Sequence, residues 1–250
     1  MTASDLIPTA SLLAVGVVSG ALNVVAGGGS FITLPVLIFL GLPAGEANGT
    51  NRVGVFAQNL AGVWGFHRSG AMSWRWGLAA SVPAMAGAAL GAYVALSITD
   101  FAFRRLLSVA MLVMTLWTVA KTPSREGRAQ LTSPWHPAMV VSFFALGVYG
   151  GLIQAGVGFA VLAATSVAGM DLMRGNGVKV LTMVLLTALS LAIFASGGAV
   201  RWSFGLALGA GNVLGALVGV RLAVTRGHQW IQRVVTVTVV VFAVLLWFDL

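Results

Sequence analysis

Apolar residues along this chain gather in ten runs, with polar positions between them. The runs lie at about 6–26, 30–41, 51–66, 75–98, 101–120, 137–156, 158–170, 178–195, 202–224 and 230–248. A helix crosses a bilayer with about 20 predominantly apolar residues. Trp76 to Ile98, Phe101 to Ala120 and Val178 to Ala195 approach or exceed that length. The second and seventh runs, at about 12 residues each, are too short to span as helices. Each follows or straddles a glycine-rich break, Gly27-Gly28-Gly29 in the first case and Gly156-Val157-Gly158 in the second. The pattern predicts an all-α polytopic membrane protein. Runs one and two, and again six and seven, read as a broken or re-entrant helical hairpin.

The runs also repeat. Gly16, Gly20 and Gly27 recur 131 residues later as Gly147, Gly151 and Gly158. Past a short gap the offset becomes 128: Asn48-Gly49 matches Asn176-Gly177, Trp74 matches Trp202, Gly87 and Gly91 match Gly215 and Gly219, and Arg105 matches Arg233. Glycine matches arise easily in so glycine-rich a chain, but matches at Asn, Trp and Arg do not. The organisation expected is a membrane repeat at 1–120, a polar linker at 121–136 and a second membrane repeat at 137–250.

Charge orients the repeats. If each hairpin returns to its starting side, each repeat crosses an odd number of times and the two are inverted. One side of the membrane then receives ten basic residues and the other four. One interrupted crossing per hairpin instead makes the repeats parallel and gives eight against six. Basic residues concentrate on the cytoplasmic side, so the larger asymmetry favours inverted repeats with both termini outside the cytoplasm.

Composition agrees with a membrane bundle. Charged residues are 8% of the chain, against about 25% in globular domains. The 14 basic and 6 acidic residues form no patch. The basic ones stand singly at the ends of apolar runs, which excludes a nucleic-acid partner in favour of topology charges. There is no cysteine for a disulfide, thiol chemistry or thiolate metal site. Met1 to Asp5 carries no basic residue, so the first run reads as a retained membrane segment, with no soluble domain expected at either end.

The candidate chemistry sits at the breaks. Glycines let a backbone approach a ligand closely, and the unpaired N–H groups at a helix start favour anions. Gly28, Gly29 and Ser30, just before the helix Phe31 to Leu40, are candidates for such a site. The alternative is that these glycines only allow close helix packing. The second constellation is Asn48-Gly49-Thr50-Asn51-Arg52, read as opening the third helix and matched by Asn176-Gly177-Val178-Lys179. Asn48, Thr50, Asn51, Asn176 and Lys179 are candidate ligand contacts, or else a loop turn with Arg52 and Lys179 as topology charges. Asn23 and Gln154 align ahead of the two breaks and complete the candidate set. Gln58 and Asn59 lie further along the third run, where at least one could face a pathway. Glu46 is read as interfacial. His67, His136 and His228 lack metal-ligand spacing, and no nucleophile–base pair or phosphate loop is present, so no metal, cofactor or enzymatic activity is expected.

Gly20 through Thr50 holds the glycine run, Pro35 in the next helix, a short loop and Ala47-Asn48-Gly49-Thr50, followed by Gly70-Ala71-Met72-Ser73-Trp74. In this order the motifs resemble the sulfite exporter TauE/SafE family, also called the toluenesulfonate uptake permease family. The resemblance covers nearly the whole chain. It implies a multi-pass transporter of the bacterial inner membrane, handling small sulfur-containing anions such as sulfite or organosulfonates. Its expected partners are that anion and the lipid bilayer. Copy two departs from the pattern: Ser166 stands at the place of Pro35, and Val178-Lys179 at the place of Thr50-Asn51. A single site would then be asymmetric, with copy one supplying backbone donors and copy two the charge. A passive anion channel and a non-transporting scaffold subunit are the other function classes the sequence leaves open.

Overall fold

The computed structural model describes residues 3–25, 27–120 and 133–226. Among them are nine helices and no strand: α1 (Ala3–Val25), α2 (Ser30–Phe39), α3 (Ala44–Arg68), α4 (Trp74–Ser97), α5 (Asp100–Ala120), α6 (Pro137–Leu152), α7 (Val157–Val167), α8 (Leu172–Ser196) and α9 (Trp202–Arg226). The run at 230–248 and most of the polar linker lie outside the described residues.

Local chemistry sets the helix ends. Pro137 starts α6, and His136 accepts a hydrogen bond from the Ala138 N–H. The Asp171 carboxylate accepts from the Arg174 N–H at 2.9 Å and caps α8. On α5, Asp100 takes the Ala44 N–H and so caps α3 from outside. Gly70 and Gly198, at matched positions in the two halves, take positive φ just past α3 and α8. That conformation closes a helix C-terminus with little strain only for glycine.

Two sequence-based boundaries move. The third and eighth runs were expected at 51–66 and 178–195, but α3 begins at Ala44 and α8 at Leu172. Asn48-Gly49 and Asn176-Gly177 therefore lie within the second helical turn and do not open these helices. The reason is lateral. A polar side chain inside a bundle is satisfied by a neighbouring helix, so polar residues do not end a helix here as they would at a surface. The second break also moves: α6 ends at Leu152, and Val157 and Gly158 are already helical, so the irregular stretch is Ile153–Gly156.

Helix directions follow from which backbones touch. A methyl built on Gly211 would stand 2.2 Å from the Leu13 carbonyl oxygen, and one on Gly215 2.0 Å from that of Val17. Both helices advance by four residues between these contacts, so α1 and α9 run parallel. The same test on Gly147 against Ala84 (2.1 Å) and Gly151 against Ala88 (2.2 Å) makes α6 and α4 parallel. By contrast, Gly49 meets Phe194, Arg52 meets Ser190 and Gly62 meets Val180, so α3 and α8 are antiparallel at the centre. Small residues permit this backbone-to-backbone packing, which drives helix association in lipid where hydrophobic burial cannot. Exchanging first-half helices for second-half ones turns the α1–α9 contact into α6–α4, and α3–α9 into α8–α4.

The outside is apolar, and the inside holds polar and charged side chains among its apolar ones. On α4, Leu78, Val82, Leu90 and Tyr93 are exposed along one stripe, while Arg52, Asn51, Gln58 and Lys179 are buried. A water-soluble fold has the reverse distribution. Trp74–Ser97, Leu172–Ser196 and Trp202–Leu222 are long and apolar enough to cross a membrane. The 25 residues of α3 have the length but carry five buried polar side chains beyond its first turn: Asn48, Asn51, Arg52, Gln58 and Asn59, with Thr50 a sixth.

Three carboxylates are described, each at a helix start and each beside an arginine: Glu46 with Arg201 at 3.0 Å, Asp100 with Arg104 at 2.8 Å, and Asp171 with Arg174 at 3.6 Å. The Glu46–Arg201 pair joins α3 to the start of α9 and is partly solvent-exposed. Exposed pairs contribute about 0.2–1 kcal/mol. Glu46→Gln should therefore shift the thermal unfolding midpoint of the purified protein by only a degree or two, and less at high salt. A drop of many degrees would mean the pair bears more of the assembly than its exposure allows.

Candidate functional site

The two broken hairpins meet backbone to backbone. Gly27 has φ +94°, and a methyl there would stand 2.4 Å from the Gly158 carbonyl carbon. A methyl on Gly158 would stand 2.4 Å from Gly27 Cα. Beside them Phe31 and Phe159 stack with their ring centres 6.5 Å apart.

Around this contact the expected site residues separate into three groups. In the first, Asn51 on α3 donates from Nδ2 to Ser30 Oγ at 3.1 Å and accepts the Thr33 hydroxyl on its Oδ1. Gly28 is buried, and Gly29 lies against α1, where a methyl would stand 2.2 Å from the Ser19 carbonyl oxygen. Gly29 is therefore in close backbone contact with α1.

The second group surrounds Lys179. Its ammonium donates to the Asn23 carbonyl at 3.1 Å, to the Val24 carbonyl, and to Asn176 Oδ1 at 2.7 Å. The last carbonyls of α1 have no partner within their own helix, and the α8 lysine supplies one. A cation also complements the negative end of the helix dipole.

The third group does the same for α6 from the opposite direction. Arg52 donates to the Gly150 carbonyl at 3.1 Å, to the Gly151 carbonyl and to Ser190 Oγ at 2.8 Å, and lies 4.4 Å from the centre of the Phe194 ring. Asn48 Nδ2 adds a bond to the Leu152 carbonyl at 2.8 Å. Three successive end carbonyls of α6 are thus taken by one face of α3. Gln154 follows in the break with φ +66°, rare for a residue with a side chain, and its Nε2 donates to Thr187 Oγ1 at 2.6 Å. Thr50 joins none of these groups. Its hydroxyl accepts the Arg201 N–H at 2.9 Å and anchors the start of α9.

Sequence reasoning placed Arg52 in the second constellation, with a topology charge as the alternative, and did not single out Thr33, Thr187 or Ser190. The available signal was weak: hydroxyls inside apolar runs, of which Thr33 alone stands three residues from a candidate, Ser30. Arg52 and Lys179 are both essentially inaccessible to solvent. None of the described carboxylates is buried with them; all three are at helix starts. Among the described residues, the interior thus holds two cationic side chains whose partners are carbonyl, amide and hydroxyl dipoles and one aromatic ring.

An apolar exterior around buried polar side chains, with helices long enough to span, defines an integral membrane protein. Residues 12–246 match the family model described as Sulfite exporter TauE/SafE, and the chain belongs to that family. It is 32% identical to a probable membrane transporter protein of Haemophilus influenzae, over 91% of this chain and 90% of that one. It is 26% identical to the probable membrane transporter protein ORF9 of a Sinorhizobium species, over 96% and 92% of the two chains. The probable membrane transporter protein YfcA of Escherichia coli is 25% identical over 95% and 89%. No solved structure matches the chain.

Proposed function

We propose that the protein is a multi-pass secondary transporter of the bacterial inner membrane. It exports a small sulfur-containing anion, such as sulfite or an organosulfonate, by alternating access of two inverted repeats. The observation that carries this reading is the pair of buried cations, Arg52 and Lys179, with no buried carboxylate among the described residues. A buried charge is costly unless compensated, and an anion entering this core meets a standing positive potential. Gly28, Gly29, Ser30, Asn48, Asn51, Asn176 and Lys179 are the groups we assign to its path, with Asn23 and Gln154 at the two breaks.

The helix directions support inversion. The matched helices α3 and α8 run oppositely, as do α1 and α6 through their contacts with α9, α3, α8 and α4. Broken helices at matched positions, meeting at the centre of a bundle, are the arrangement in which such transporters bind substrate and rock one repeat against the other. The charge asymmetry survives as well. With Lys179 and Arg52 assigned to the interior, ten against four becomes nine against three.

Flux into proteoliposomes tests this. The expected result is saturable sulfite or sulfonate uptake with trans-stimulation. Lys179→Ala and Ser30→Ala should each lower uptake about tenfold or more, since hydrogen bonds to charged groups are worth about 1.5–3 kcal/mol. Ohmic current without saturation would make the protein a channel, and full transport by both variants would overturn the site.

A further inference from the structure

Arg52 and Lys179 stand at opposite ends of a polar column. Arg52 meets Ser190 on α8, and Lys179 lies eleven residues before Ser190 on the same helix. At 1.5 Å per residue this separates the two stations by about 16 Å, too far for one small oxyanion to touch both. On α3 a nearly equal interval of ten residues runs from Arg52 to Gly62, which meets Val180 beside Lys179. Gln58 lies near its middle. It follows Asn51 by seven residues, so it shares the helix stripe that carries Asn51 towards Ser30 and the first break.

Gln58 is fully buried, and neither its amide oxygen nor its amide nitrogen has a partner. A buried side chain with its whole polar end empty is rare and calls for a ligand or water. Every other amide of the column makes at least one bond, although Asn48 Oδ1 and Gln154 Oε1 are also without partners. Asn51 bonds Ser30 and Thr33, Asn176 bonds Lys179, and Asn59, next to Gln58, bonds the Val55 carbonyl at 2.7 Å. The matched position in the second half is Leu186, inside an apolar cluster with Val157 and Val161. At this matched pair the amide comes from one half only.

We propose that Gln58 is the residue that contacts the transported anion directly, as a neutral amide midway between two cations already held by helix carbonyls. This rests on the transporter reading above and names the substrate more narrowly. Gln58 presents a donor and an acceptor together. A small oxyanion that bears one proton, such as hydrogensulfite in its O–H form, satisfies both, whereas a fully ionised sulfonate satisfies only the donor. A neutral contact flanked by distant charges attracts the anion yet holds it weakly enough to let it go, as passage through a membrane requires.

The test compares sulfite and methanesulfonate uptake by wild type, Gln58→Met and Gln58→Glu in proteoliposomes, with thermal unfolding of each purified protein. Wild type should favour sulfite. Gln58→Met keeps the volume and removes an unpartnered group, so its unfolding midpoint should hold or rise while KM for sulfite increases about tenfold or more and the preference disappears. Gln58→Glu should abolish uptake of both anions. A Gln58→Met protein with KM for sulfite within twofold of wild type overturns the assignment. So does a midpoint that falls by many degrees, which would make the amide structural. Wild type with no saturable uptake of either anion defeats the transporter reading and the Gln58 assignment with it; normal wild-type uptake with unaltered variants defeats the assignment alone.

Discussion

Gly27→Ala should destabilise the protein by about 4 kcal/mol, and Gly158→Ala by less. Two physical terms separate the variants. A methyl on either residue would lie 2.4 Å from the other's backbone, and overpacking of that kind costs about 1–3 kcal/mol. No rotamer change relieves it, because the obstacle is main chain. Gly27 carries a second term. Its φ of +94° is foreign to residues with a Cβ, and holding one there costs about 1–3 kcal/mol more. Gly158 sits within α7 with ordinary helical geometry and lacks that term. Thermal or denaturant unfolding of the two purified variants would read the difference directly. Equal losses would show that the contact, and not the backbone conformation, is what requires glycine at position 27.

The second large effect is expected at Arg52. Arg52→Met keeps much of the volume and the contact with Phe194 but strands the Gly150 and Gly151 carbonyls and the Ser190 hydroxyl. Ser190 retains bonds to its own helix through the Leu186 and Thr187 carbonyls, so the two carbonyls dominate. Each unpaired buried group costs about 1–3 kcal/mol. Removing a desolvated charge offsets part of this, leaving a net loss of about 2–4 kcal/mol. Arg52→Lys retains the charge but not the fork that spans adjacent carbonyls, so its unfolding midpoint should fall between Met and wild type. If Met and Lys were both as stable as wild type, α3 would not be what terminates α6.

Much of this fold was legible in the sequence, and the reason is specific. Many of the matched glycines stand where backbones touch. Gly16 meets Gly211, Gly147 meets Ala84, and Gly27 meets Gly158. A contact between backbones tolerates no substitution, so it leaves a mark that a contact between interchangeable Leu and Val side chains does not. Asn48 and Asn176 were found because a scarce residue recurred, but they were placed at helix starts because polarity was taken as a boundary. Arg52 and Lys179 escaped comparison with one another because they are not at the same register. Arg52 matches Val180, and Lys179 matches Asn51. Their common task, ending the first helix of the opposite half, exists only once the halves are interleaved. Gln58 looked like one polar residue among several until its neighbours proved to be bonded elsewhere.

The parallel contact between α1 and α9 has a consequence for how the chain is made. Leu13 meets Gly211 across almost 200 residues of sequence. At about 5–20 residues per second of synthesis, α1 waits about 10–40 s for the partner it will lie against. In water an unpartnered apolar helix would aggregate over that interval. In a bilayer the waiting face rests against lipid tails as apolar as itself, and its small residues give up only close packing. Interleaved halves are thus a topology that insertion into a membrane makes feasible: the first helix can be stored in the bilayer until the last described one arrives.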